Sequence, residues 1–265
     1  MDPIVLSIIG ISIIFLCTAL GSAFVFFFRK KEISPKINEI FIGFASGIML
    51  SASVFSLILP AINEPVSYMP SFAVVAIAIF LGAGFIWLID RLVPHLHHSN
   101  EEEGIKTDRI NRTSKMFLAV TIHNIPEGLS VGITYGVALA TWNADPSRAL
   151  VGALMLAIGI GIQNVPEGAA VALMVKGETG SSLRGFVFGV LSGVVEPIAA
   201  VIGLFLAMQI QVIMPWALAF AAGCMLYVIA EEMIPDMKGV SGHHHGLWAF
   251  IVGFIVMMIL DISLG

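Results

Sequence analysis

The chain has 265 residues, of which 58% are hydrophobic and only 12% charged, with a mean hydropathy of +0.96. Soluble domains carry about 25% charged residues, so this composition excludes an ordinary soluble globule. It reads as an all-α polytopic membrane protein whose main partner is the lipid bilayer, with no basic surface for nucleic acid. The net charge is −5, from 13 Lys+Arg against 18 Asp+Glu, and the location of that surplus carries the information. Cys17 and Cys224 both lie in apolar runs and offer neither metal-type spacing nor a disulfide framework.

In chain order, eight stretches are apolar enough to cross a bilayer, near 4–28, 38–60, 71–93, 116–140, 149–175, 185–208, 212–234 and 246–264. The first has no basic segment ahead of it and suits an uncleaved span rather than a signal peptide. Basic residues orient the set. Arg29, Lys30, Lys31 and Lys36 follow span 1; Arg91, Lys106, Arg109, Arg112 and Lys115 separate spans 3 and 4. Lys176 and Arg184 separate spans 5 and 6, Lys238 follows span 7, and only Arg148 falls on the other side. Both termini are therefore predicted outside a multi-pass cytoplasmic (inner) cell membrane. The whole chain, 1–265, forms one transmembrane domain. Its longest loop, 94–115, is cytoplasmic and holds His95, His97, His98 and Glu101 to Glu103.

Two related motifs lie forty residues apart, HNIPEG at 123–128 and QNVPEG at 163–168. In each, the first residue and the Glu are i and i+4 and share a helix face. Pro126 and Pro166 each remove a backbone donor and should kink their helices, which is tolerated at depth where a polar cavity is lined. Counting ~1.5 Å per residue from the basic edge gives the depths. His123 and Glu127 lie 8 and 12 residues from Lys115; Glu167 and Gln163 lie 9 and 13 from Lys176. On antiparallel spans, His123 is thus level with Glu167, and Glu127 with Gln163. Glu196 is 12 residues from Arg184 and Met49 is 13 from Lys36, so both share that level.

A carboxylate at mid-bilayer costs about 2.5–3.5 kcal/mol on insertion scales. Every Lys and Arg is used in loops, so Glu127, Glu167 and Glu196 need either protons or an external cation. Imidazole, carboxylates and amide oxygens form a mixed set suited to Zn²⁺, Fe²⁺, Mn²⁺ or Cd²⁺. One ion would take His123, Glu127, Gln163 and Glu167; a second would take Asn124, Asn164, Glu127, Glu167 and Glu196. Glu231 and Glu232 read as a route toward the cytoplasm, Ser56 and Asp261 lie toward the outside, and Asp90 sits at the inner edge. His95, His97, His98, His243, His244 and His245 fall on the cytoplasmic side, where His-rich tracts bind metal weakly. An enzyme is not expected. GLSVG at 128–132 fits a serine-hydrolase elbow, but the sole intramembrane His is His123, seven residues back on the same helix. No His is followed by Glu, which excludes a zinc-protease motif. The alternative is a cation-selective channel or proton pathway using the same carboxylates.

The paired motifs, with GFASGIMLSASVFSLILP at 43–60, SGVVEP at 192–197, EEMIP at 231–235 and LDISLG at 260–265, resemble the ZIP (Zrt-/Irt-like) family of divalent metal transporters, bacterial zinc/cadmium type. The resemblance implies a 3+2+3 arrangement, spans 1–3 and 6–8 being inverted repeats around spans 4 and 5. It also implies zinc as transported substrate with Cd²⁺ as another, uptake toward the cytoplasm by alternating access, often a homodimer, and a binuclear site. The first metal maps onto His123, Glu127, Gln163 and Glu167 with Met49 nearby; the second maps onto Asn124, Glu127, Asn164, Glu167 and Glu196. Asn164 departs from the Asp common in bacterial relatives and brings an oxygen without a charge. Allocated span by span, loops and membrane edges carry 13 basic and 12 acidic residues. The acidic surplus therefore resides in Glu127, Glu167, Glu196, Glu231, Glu232 and Asp261.

Overall fold

A computed structural model describes residues 3–27, 34–64, 66–96, 102–103, 112–140, 146–209, 213–238 and 244–264. The principal helices are α1 (Pro3–Ala23), α2 (Pro35–Ala52), α3 (Leu59–Asn63), α4 (Ser71–Leu92), α5 (Arg112–Ala140) and α6 (Pro146–Thr179). They continue with α7 (Ser182–Gly193), α8 (Val195–Gln209), α9 (Met214–Val228), α10 (Ile234–Lys238) and α11 (His245–Leu264). Among the described residues, seven helical stretches are long and apolar enough to span a membrane. The remaining expected span is α5, whose 29 residues suffice in length but whose polar HNIPEG segment dilutes its hydropathy. Among the described residues the fold is helical except for turns and one antiparallel pair, His95–Leu96 with Glu102–Glu103. That pair lies in the expected 94–115 loop, which α5 shortens by starting at Arg112. His97, His98 and His243 lie outside the described residues.

Local sequence explains several helix ends. Ser34 caps α2 by accepting from the Ile37 amide, with Pro35 in the first turn, where a missing N–H costs nothing. Gly180 takes φ +70°, the left-handed conformation that closes α6 through its N–H to the Lys176 carbonyl. Ser181 then caps α7 by accepting from Arg184 N. α5 and α6 run unbroken through Pro126 and Pro166.

Two helices change pitch at matching places. After Ala52, α2 continues as a π-helical segment, Ser53–Ile58, and then as α3. After Val228, α9 continues as a π-helical segment, Ile229–Met233, and then as α10. Each segment follows a G-x-M-L run, Gly47–Leu50 or Gly223–Leu226, and precedes a proline, Pro60 or Pro235. The proline cannot donate to the carbonyl four residues back, which favours the wider turn.

Glycines let particular helix pairs approach to backbone contact. A Cβ at Gly132 would stand 1.9 Å from the Ala200 carbonyl oxygen, joining α5 to α8. Gly21 and Gly168 do the same between α1 and α6, and Gly185 between α7 and α6. Gly43, Gly47 and Gly253 join α2 to α11, and Gly82 and Gly223 join α4 to α9. These close contacts fall within two groups, α1 with α5–α8 and α2–α4 with α9–α11. Between the groups, the notch at Gly159 receives the flexible thioether of Met257. The apolar core unites both groups around Ile14, Ile48, Met49, Leu57, Tyr135, Leu156 and Met214. Outward faces are apolar too, Phe72 and Phe80 being 71% and 77% exposed, as lipid contact requires.

Candidate metal centre

The two PEG motifs face one another where α5 and α6 meet. His123 Nε2 lies 3.5 Å from Glu127 Oε1, one turn along its own helix, and 3.6 Å from Glu167 Oε1 on α6. One ligand atom from each of these three residues falls within 4.8 Å of the others. Zinc bonds of ~2.0–2.2 Å at tetrahedral angles put neighbouring ligand atoms roughly 3.3–3.6 Å apart, and the two separations from His123 match such edges. Gln163 Nε2 donates to Glu127 Oε1 at 2.7 Å. His123 with Glu167, and Glu127 with Gln163, are the level pairs expected from depth.

Three amides are oriented by their donors. Asn124 Nδ2 donates to the Ser192 carbonyl at 3.0 Å, and Asn164 Nδ2 donates to the Ile14 carbonyl at 3.4 Å. A carbonyl or carboxylate only accepts, so the nitrogen of each amide must face it. The oxygens are left over: Asn124 Oδ1, Asn164 Oδ1 and Gln163 Oε1 are buried without a partner. Glu127 Oε2, Glu167 Oε1 and Glu196 Oε2 share that condition. Unsatisfied buried acceptors are expensive, and six in one region define a locus that a cation would satisfy.

Glu196 is completely buried near the start of α8 and feels both Glu127 and Glu167 electrostatically. Thr18 Oγ1, on α1, donates to its Oε1 at 2.8 Å. Among the described residues, no Lys or Arg bonds to these three glutamates.

Other candidate residues are dispersed. Glu232, read as part of an outgoing route, reaches the centre itself, its Oε2 lying 3.4 Å from His123 Nδ1. Glu231, its neighbour in the π-helical segment, is exposed on the surface. A cavity runs from His123 and Glu167 past Glu232, Met174 and Met233 to Asn38 and Asp236, at the end of the bundle bearing Lys36 and Lys238. Toward the other end, Ser56 Oγ donates to Asp261 Oδ1 at 2.7 Å. Met49 is fully buried in the apolar core, and Asp90 is buried near the end of α4. His95 lies in the two-residue strand, His244 is exposed, and His245 opens α11. Glu39, counted with the membrane edge, is also buried. Thr18 went unnoticed in the sequence because a lone threonine in an apolar span carries no pattern. Glu232 was legible from its depth, six residues from Lys238 on span 7.

Comparison with known proteins agrees with the motifs. The family pattern described as ZIP Zinc transporter matches residues 109–261. Zinc transporter ZIP11 of Xenopus tropicalis is 34% identical, the alignment covering 100% of this chain and 98% of the relative. Zinc transporter GufA of Myxococcus xanthus is 35% identical over 89% of this chain and 90% of its own length. Zinc transporter ZIPB of Bordetella bronchiseptica is 32% identical, with 95% and 79% covered. With five orphaned acceptors on its two PEG helices, a sixth on α8, and this similarity along its full length, the chain belongs to the ZIP zinc transporter family.

Proposed function

We propose that the protein carries Zn²⁺, with Cd²⁺, Fe²⁺ or Mn²⁺ as further substrates, across the cytoplasmic membrane into the cell through a binuclear mid-membrane centre. The observation that carries this reading is the convergence of buried acceptors with one imidazole, no Lys or Arg bonding to Glu127, Glu167 or Glu196 among the described residues. The first ion takes His123 Nε2, Glu127, Gln163 Oε1 and Glu167. The second takes the Asn124 and Asn164 oxygens with Glu127, Glu167 and Glu196. Relatives named as zinc transporters support the choice of metal.

The path follows from the two ends of the bundle. An ion enters past Ser56 and Asp261, is desolvated onto the carboxylates, and leaves along the cavity past Glu232 and Asp236. That cavity reaches His123 from the lysine-bearing end, which the positive-inside rule assigns to the cytoplasm. The apolar core beyond the centre, including Tyr135, Leu57 and Leu156, closes the opposite direction. An arrangement open to one side supports alternating access over a continuous channel. The glycine contacts support two bodies, α1 with α5–α8 against α2–α4 with α9–α11, that slide past each other; the thioether of Met257 at Gly159 is a yielding contact between them. The G-x-M-L/π-helix/proline device in α2 and α9, on oppositely directed spans, supports the 3+2+3 inverted repeat with both termini outside. A homodimer accords with the family.

The test is ⁶⁵Zn uptake by cells expressing His123→Ala with Glu127→Ala at equal surface density. Uptake should fall to the level of untransformed cells; undiminished uptake refutes the centre. In proteoliposomes the wild type should give saturable flux in which other divalent ions compete, whereas unitary currents would favour a channel.

A further inference from the structure

We propose that Thr18, on a helix that supplies no cation ligand, is the positioning residue of the second metal subsite. The assignment rests on the reading of Glu196 and Asn164 as ligands there. Thr18 is fully enclosed, and its Oγ1 donates to Glu196 Oε1 at 2.8 Å, leaving Oε2 as the unpartnered oxygen. The same hydroxyl lies 3.2 Å from the Ile14 carbonyl, which also receives the Asn164 amide at 3.4 Å. A single turn of α1 therefore anchors two ligands that come from different helices, Glu196 from α8 and Asn164 from α6.

The hydroxyl has one proton to donate. Facing an ionised carboxylate, it makes the stronger, charge-assisted bond to Glu196 and leaves Ile14 O to the asparagine. One carboxylate oxygen is then occupied, and the other is the one offered to a cation. Glu196 is thereby held to single-oxygen ligation in a fixed rotamer, while the Asn164 oxygen is aimed by the same turn.

The surroundings keep Thr18 in place. A Cβ at Gly168 would come within 2.2 Å of the Thr18 carbonyl oxygen, and one at Gly193 within 2.8 Å of its methyl carbon. Ser22 Oγ donates to that carbonyl at 2.8 Å. α1 thus fits against α6 and α7 at two glycines, and the threonine can neither withdraw nor rotate freely. The competing explanation is that Thr18 merely returns its hydroxyl to the carbonyl four residues back, as threonines in apolar helices do. In that case its loss would leave metal binding unchanged.

The experiment uses the purified full chain in detergent, titrated calorimetrically with Cd²⁺ alone. Thr18→Val removes the hydroxyl and keeps the shape; Thr18→Ser keeps the hydroxyl. The wild type should show two binding events. Thr18→Val should weaken the second at least tenfold and leave the first within twofold, and Thr18→Ser should restore the second to within twofold to threefold of wild type. Should Thr18→Val yield no folded protein, Thr18→Ala, which adds no bulk against Gly193, carries the same expectation. An unchanged second event in the hydroxyl-free variants overturns the assignment, as does a serine variant as weak as they are. Glu196→Gln separates the two layers. If it abolishes the second event while Thr18→Val preserves it, only the Thr18 assignment falls. If Glu196→Gln binds like wild type, or wild type binds one ion, the underlying ligand reading falls and the assignment with it.

Discussion

Gly128→Ala tests whether the spacing of α5 and α8 sets the metal centre. Gly128 follows Glu127, and a Cβ there would lie 2.2 Å from the Glu196 carbonyl oxygen and 2.8 Å from its carbonyl carbon. Methyl carbons do not approach a backbone oxygen more closely than about 3 Å, so the two helices must separate locally by roughly 1 Å in a close-packed interior. Overpacking of this kind costs about 1–3 kcal/mol. The displacement acts directly between Glu127 and Glu196, where metal distances tolerate only about ±0.2 Å. The expected result is a lower melting temperature in detergent and a half-saturation concentration for zinc flux raised about tenfold, equivalent to roughly 1.4 kcal/mol. Gly84→Ala is the control, because a Cβ there meets nothing within 4 Å. It removes a mid-helix glycine and should leave flux unchanged while slightly raising stability, by up to about 1 kcal/mol. A Gly128→Ala protein with wild-type melting and half-saturation would refute the argument that backbone contact fixes this centre.

Ser56→Ala deprives the Asp261 carboxylate of its 2.7 Å donor. It should raise the half-saturation concentration for uptake several-fold with little change in maximal rate, measured as concentration-dependent flux in proteoliposomes. Ser181→Ala removes the cap that accepts from Arg184 N; it should lower thermal stability by about 1 kcal/mol and leave metal half-saturation unchanged. Burial at the end of α3 raises the Glu64 carboxyl above its ordinary value. Because its folded-state pKa is the higher one, its contribution to stability is present at low pH and is lost as pH rises from about 4.3 through the raised value. Glu64→Gln should flatten that part of a melting-temperature profile taken from about pH 4 to pH 7.

Much of the site was legible because depth in a membrane is a linear measure. The distance of His123 from Lys115, and of Glu167 from Lys176, depends only on helix rise, and the two meet at 3.6 Å. The orientation of the amides was not legible. Which atom of Asn124 or Asn164 faces the centre depends on the Ser192 and Ile14 carbonyls, far away in sequence. Thr18 belongs to the same class, since its partner Glu196 is 178 residues away. Glu231 and Glu232 illustrate a different loss. Adjacent acids look equivalent in sequence, yet the π-helical turn sends Glu232 to His123 and leaves Glu231 on the surface. The widened turn changes the angle between successive side chains, and a 3.6-residue period cannot anticipate it.

The sequence by itself determined that the chain lives in a membrane, that its helices carry paired PEG motifs, and that Glu127, Glu167 and Glu196 lie many residues along their spans from the Lys and Arg of the loops. These are properties of composition and of rise along single helices, and no neighbour alters them. Only the tertiary structure decided which side chains turn inward, which amide atoms remain unsatisfied, and that α1 holds Glu196 and Asn164. Rotation about a helix axis is set by what packs against it, here glycine-to-backbone contacts a few ångströms wide. That contact geometry exists only after the helices have come together.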